Sequence, residues 1–189
     1  MPLHIAFLRA INVGGRVVKM DQLRARFEGL GLANVETFIA SGNVIFESPV
    51  RKAKALEARI EAHLRDSLGY AVGVFIRSPA ELAAVAGHRP FPAADLEAGG
   101  NTLYISFVAD PPGPEAAERL RGLRTDLDDF HVHGREVYWL CRTKISQSEV
   151  TGAKFERAVG VSTTMRNATT VRKLAAKYPV NESRTKKDI

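Results

Sequence analysis

The chain has 189 residues, 45% of them hydrophobic and 25% charged, with a formal net charge of +6 at pH 7. That length suits one domain or two small ones, with a core that needs no disulfide or metal. No apolar run approaches a membrane span. The one cysteine, Cys141, has no partner for an intramolecular disulfide, so a reducing, cytoplasmic setting is expected.

Leu3, Ile5 and Phe7 alternate as a strand should, and residues 1–8 lack the basic opening and cleavage site of a signal peptide. Ile11-Asn12-Val13-Gly14-Gly15-Arg16 breaks the pattern. Met20, Leu23, Phe27 and Leu30 then recur at helical spacing, and Gly31 suits the position just past a helix end. Residues 35–40 and 43–47 are short β-rich runs around Ser41-Gly42, where a tight hairpin requires the positive φ that glycine supplies. Ser48-Pro49 suits a helix start, because proline at the first helical position has no N–H to leave unpaired. Leu56, Ile60, Leu64 and Leu68 form its apolar stripe, and residues 72–76 read as a fourth strand. This order, β-α-β-β-α-β, is that of a ferredoxin-like unit. Ser78-Pro79-Ala80-Glu81 then reads as a capping box opening a short helix.

Residues 87–100, with Pro90-Phe91-Pro92, read as a linker, and the second half repeats the order. Residues 103–108 are a strand broken by Pro111-Pro112-Gly113-Pro114. Leu120, Leu123 and Leu127 mark a helix. Residues 130–133 and 136–140 form a hairpin around Gly134-Arg135. Phe155 and Val159 lie on a helix ending at Gly160, residues 161–165 make the last strand, and Val171, Leu174 and Ala175 sit on a terminal helix that stops at Pro179. The expected fold is α+β: two tandem ferredoxin-like halves with antiparallel sheets, residues 1–86 and 101–178, plus a C-terminal helix. A basic flexible tail over 179–189 follows. No repeat is visible in the residues themselves; only the element order recurs.

Four segments resemble a known family. Phe7-Leu8-Arg9-Ala10-Ile11-Asn12-Val13-Gly14-Gly15 resembles the "LLRGINVGG" opening of the family called domain of unknown function 1697. Ser41-Gly42-Asn43-Val44-Ile45-Phe46 is similar to its "SGNVVF". Gly134-Arg135-Glu136-Val137-Tyr138 is similar to its "GREVY", and Thr164-Met165-Arg166-Asn167 with Thr170-Val171 to its "TTRNWNTV". Ala10 stands where the family usually has glycine, Met165 where threonine is usual, and Ala168 where tryptophan is usual. The resemblance implies fold and class and carries no activity with it.

Candidate sites follow from the polar residues of these segments. Backbone N–H groups of the Asn12, Gly14, Gly15 and Arg16 loop can converge on an anion, or the two glycines simply relieve crowding in a connection. In a ferredoxin-like sheet this loop and the turn at Ser41, Gly42 and Asn43 fall at one edge, so these residues should gather there. Arg166 and Asn167, with Lys144, Ser146 and Ser148, suit a phosphate or carboxylate; capping of neighbouring helices is the competing use. His131 and His133 share one face of a strand, a spacing that can serve a metal. Cys141 points to the other face, and His4, His63 and His88 are scattered, so no metal and no cofactor are expected. RNA stacking on exposed strand aromatics would fall to Phe7 and Phe46.

Of the net charge, +4 comes from residues 172–189, where six Lys and Arg face Glu182 and Asp188, leaving +2 for the other 171 residues. A solvated tail or a weak nucleic-acid contact both fit that excess. The reading reached is a protein binding a small anionic or phosphorylated ligand. The alternatives are an enzyme acting on a phosphorylated small molecule or nucleotide, and a weakly nucleic-acid-associated protein. No membrane contact is expected.

Overall fold

β1 (Leu3–Arg9) is buried from His4 to Leu8, which a strand achieves only when both of its faces are covered. Its even-numbered apolar residues, Ala6 and Leu8, face helices, and Ile5 and Phe7 face a second sheet. The computed structural model describes residues 1–12, 14–39 and 42–180. In the first half, β1 is followed by α1 (Met20–Gly29), β2 (Ala33–Thr37), β3 (Asn43–Glu47), α2 (Ala53–Leu68), β4 (Gly73–Arg77) and α3 (Pro79–Gly87). The sheet order is β2-β3-β1-β4, antiparallel throughout.

After α4 (Ala93–Glu97), the second half runs β5 (Thr102–Phe107), α5 (Pro114–Arg121), β6 (Asp128–His133), β7 (Glu136–Cys141), a 3₁₀ turn (Ile145–Gln147), α6 (Gly152–Val159), β8 (Thr164–Asn167) and α7 (Ala168–Lys177). Its sheet order, β6-β7-β5-β8, repeats the first. The fold is two tandem ferredoxin-like halves closed by a C-terminal helix.

The halves pack sheet against sheet. α1 and α2 cover the outer face of the first sheet through Leu23, Phe27, Leu56 and Ile60. Leu120, Phe155 and Val159 of α5 and α6 cover the outer face of the second. Ile5, Phe7, Ile45 and Phe75 meet Ile105, Phe107 and Tyr138 between the sheets, and Leu82, Val85, Val171 and Leu174 bring α3 and α7 into the same core. Phe7 and Phe107 stack at its centre, 3.9 Å between ring centroids.

The registers make the halves equivalent residue by residue. Phe7 pairs with Asn43 as Phe107 pairs with Glu136, and Ile5 pairs with Arg77 as Ile105 pairs with Arg166. Arg77 precedes the N-cap Ser78 of α3, and Arg166 precedes the N-cap Asn167 of α7. Phe7 and Phe107, Asn43 and Glu136, and Arg77 and Arg166 are therefore pseudo-symmetric pairs about an axis near the stacked phenylalanines.

Several local expectations shift. α2 begins at Ala53, not at Ser48-Pro49, because the Ser48 hydroxyl accepts the Val50 N–H in a side-chain turn. α5 ends at Arg121, so Leu123 and Leu127 lie beyond it, Leu127 exposed. The segment read as a linker contains α4, and the last strand begins at Thr164 rather than residue 161. The capping box at Ser78 and Glu81 forms as expected, as do the hairpin turn with Gly134 at φ 58° and the left-handed end of α6 at Gly160. Among the described residues no helix is long and apolar enough to cross a membrane.

Candidate functional site

The two loops of the first half meet as the topology requires. The Leu8 N–H donates to the Gly42 carbonyl at 2.8 Å. Gly42 has φ 76°, and a Cβ there would lie 2.7 Å from Ile11 Cγ2, so the turn needs glycine both for its conformation and for its contact with the first loop. Asn12 accepts the Val18 N–H through Oδ1 at 2.7 Å and closes the loop over residues 12–18. Gly14 and Gly15 are exposed at φ 63° and 80° with open space around them. The Arg16 guanidinium lies 4.3 Å from the centroid of the Tyr70 ring, whose hydroxyl donates to the Ile11 carbonyl. Ser41 lies outside the described residues.

Arg166 joins this corner from the second half. Its Nε donates to Asn43 Oδ1 at 2.6 Å, Nη2 donates to the Leu8 and Gly42 carbonyls, and Nη1 donates to Thr164 Oγ1 and the Met165 carbonyl. All five guanidinium N–H groups are thereby used. Burial pushes its pKa down to about 10, far above physiological pH, so it stays charged. Arg166 thus clamps the halves together and has no donor left for a ligand. Asn167 caps α7, accepting the Thr169 N–H, which is the capping use weighed above. Ser148 is occupied too, donating to the buried carboxylate of Asp128, which also accepts from Trp139 Nε1.

Arg77 repeats the clamp at the pseudo-symmetric position. Its Nε donates to Glu136 Oε1 at 2.7 Å, and its Nη2 donates to the Val108 and Arg135 carbonyls, the counterparts of Leu8 and Gly42. Each guanidinium lies over a phenylalanine of the central stack, Arg77 over Phe107 and Arg166 over Phe7. Reading the sequence overlooked Arg77. The usable signal was that both arginines sit immediately before a helix cap.

Between the halves, along the free edge of β4, lies a cleft of about 570 Å³. Arg9, Lys54 and Arg65 line it together with Glu57, Glu61 and Asp110. Two cross-half ion pairs span it: Arg9 with Glu156 at 2.9 Å, and Lys54 with Asp110. Glu57 and Glu61 face inward to β4, accepting the Ile76 and Val74 N–H groups at 2.7 and 2.9 Å. These are the outward N–H groups of an edge strand, and the carboxylates block further strand pairing there. Burial raises the Glu57 pKa, partly opposed by its bond to Ile76. None of these charged residues was singled out as a site in the sequence, because they are scattered from Arg9 to Asp110 and only the packing of the halves gathers them.

The other side of the inter-sheet core carries the histidines. His131 and His133 face Tyr138 and Glu136, as the hairpin register implies. His88, expected to stand apart, joins them. It is the C-cap of α3, its ring lies 4.1 Å from that of His133 and 5.5 Å from that of His131, and ring nitrogens of all three lie within 4.8 Å of one another. Burial, then the neighbouring imidazoles, holds the pKa of His88 below the usual range; burial and His133 do the same for His131. Cys141 is buried on the opposite face, its thiol held protonated by burial. Phe7 and Phe46 are fully buried, so neither offers a base-stacking surface.

The family described as protein of unknown function (DUF1697) matches residues 1–138. The chain belongs to that family. The structure of conserved bacterial protein SP0830 from Streptococcus pneumoniae is similar in fold, with a TM-score of 0.72 at 22% identity over 94% of this chain and 99% of that one. Among curated proteins, nothing matches. Three of the four DUF1697-like segments quoted above meet at one corner, where Leu8, Gly42, Asn43, Thr164 and Arg166 are joined by direct hydrogen bonds. The fourth, at Arg135 and Glu136, meets Arg77 at the equivalent corner. Ala10, at the family's glycine position, keeps a left-handed backbone at φ 64°, a conformation that costs a residue with a Cβ about 1 kcal/mol or more.

Proposed function

We propose that this protein binds a small anionic or phosphorylated ligand in the cleft between its halves. The observation that carries this reading is the cleft itself: about 570 Å³, walled by both halves and holding Arg9, Lys54 and Arg65. Small-molecule sites favour such volumes and such seams. Glu57 and Glu61 are spent on β4, which lowers their ability to repel an anion. The carboxylates of Glu156 and Asp110 already neutralise Arg9 and Lys54, so an incoming phosphate or carboxylate would take their place on the same donors. Arg16 of the glycine loop lies over Tyr70, the residue before the lining residue Ala71. The proposed centre thus moves from the Gly42 corner, whose groups hold the halves together, to the neighbouring cleft.

A thermal-shift panel of inorganic phosphate, pyrophosphate, nucleotides, sugar phosphates and dicarboxylates tests it. A true ligand at ~100 times its Kd stabilises by roughly 2.7 kcal/mol. The shift should disappear in Arg9→Ala and Arg65→Ala and persist in Arg24→Ala, whose site lies on α1. No shift from any anion would reject the reading; turnover of a compound that does bind would turn it into the enzymatic one.

A further inference from the structure

Pseudo-symmetry sets the context for the histidine cluster. Counting from the equivalent arginines Arg77 and Arg166, His88 of the first half corresponds to Lys177 of the second. By strand register His131, opposite Tyr138, corresponds to Glu36, opposite Ile45. His133, opposite Glu136, corresponds to Phe38, whose N–H donates to the Asn43 carbonyl. Each half's appended helix thus sets its last side chain on the edge strand of the other half's sheet.

In one copy this contact is a closed polar staple. Lys177 Nζ meets Glu36 Oε2 at 2.9 Å and lies over the Phe38 ring, and the Tyr178 hydroxyl donates to the same carboxylate at 2.6 Å. In the other copy the three positions hold imidazoles. His88 Nε2 is buried without a hydrogen-bond partner among the described residues, and no hydrogen bond links the three rings. An unpaired polar atom in such a place costs free energy unless something fills the gap.

We propose that His88, His131 and His133 bind a divalent transition metal of the zinc class, which closes this second staple. Three imidazoles with one open position is an established ligand set for zinc, and tetrahedral geometry with Zn–N near 2.0–2.1 Å sets the nitrogens about 3.4 Å apart. From within 4.8 Å, modest side-chain rotation reaches that spacing. The carbonyl end of α3, which His88 caps, adds a field that favours a cation. His133 is exposed, so the ion can enter from solvent and keep water as its fourth ligand. Reading positions alone hid the site, since His88 is 43 residues from His131 and was counted among the scattered histidines when no metal was expected.

The test is titration of the full chain, stripped with chelator, by zinc, with cobalt as a spectroscopic reporter of tetrahedral coordination. The expected result is one equivalent bound, a raised melting midpoint, and affinity reduced at least about tenfold in each of His88→Ala, His131→Ala and His133→Ala. His63→Ala, on α2, should bind as the parent does. His133 is exposed, so His133→Ala should melt like the parent in chelator, which separates loss of a ligand from loss of the fold. Failure to bind a stoichiometric ion, or binding that survives both His88→Ala and His133→Ala, would overturn the proposal.

Discussion

Arg77 and Arg166 occupy equivalent positions but differ in charge balance. Arg77 lies against the carboxylate of Glu136, and both are almost wholly buried. Arg166 meets the neutral amide of Asn43 instead. Removing Arg77 strands a buried carboxylate, so Arg77→Met should cost about 3–5 kcal/mol. Arg166→Met removes a charge that was itself costly to bury and leaves the Leu8 and Gly42 carbonyls with their remaining donors, Thr164 Oγ1 and the Leu8 N–H. Its cost should be smaller, about 1–3 kcal/mol. Urea denaturation of both variants checks the order, and Arg77→Met combined with Glu136→Leu should recover most of the loss. Equal costs would mean that the Glu136 charge does not matter. The residue scale also shows why the arginine near the family-like C-terminal segment looked like a ligand site: a charged, many-donor side chain among hydroxyls fits an anion or a set of carbonyls equally well, and sequence does not say which is nearby.

At the scale of elements, β4 is an edge strand whose outward N–H groups are taken by α2. That arrangement has a pH signature. The Glu57 pKa is raised in the folded protein, so the native state holds a proton that the unfolded chain releases more readily. Stability from this group is fully present below the ordinary carboxylate range and falls as pH rises through the folded value. Glu57→Gln keeps an acceptor for the Ile76 N–H and removes the buried charge. Its melting midpoint should exceed the parent's at pH 8 and match it near pH 4. A variant less stable than the parent at pH 8 would show that the charge on Glu57 is net favourable. Element positions were largely legible, because helical and strand periodicity is a local property. The exceptions were local competitions: the Ser48 hydroxyl claimed a backbone N–H that a helix start would have used, and α5 stopped at Arg121 while its apolar spacing ran on.

At the scale of the whole molecule the halves depend on each other. Ile5, Phe7, Ile45 and Phe75 of the first sheet are buried only by the second sheet and by α3 and α7. Residues 1–100 expressed alone should therefore keep their helical and strand content while exposing this face. Dye binding to apolar surface and poor dispersion of methyl resonances would report it. A well-packed isolated half would contradict the shared core. The strand aromatics Phe7 and Phe46 are inside for the same reason, since each sheet is covered on both faces.

The sequence by itself determined the succession of strands and helices, the turns that need Gly42, Gly134 and Gly160, the cap at Ser78, and membership of a family through short motifs. Each of these depends on neighbours within a few residues or on a matching string. Only the tertiary structure decided that the halves face each other about a stacked phenylalanine pair, that Arg166 holds backbone carbonyls, that Arg9 and Lys54 meet acidic partners across a cleft, and that His88 reaches His131 and His133. These contacts join positions tens to more than a hundred residues apart. No local period records them, and they exist because two amphipathic sheets bury their remaining apolar faces against one another.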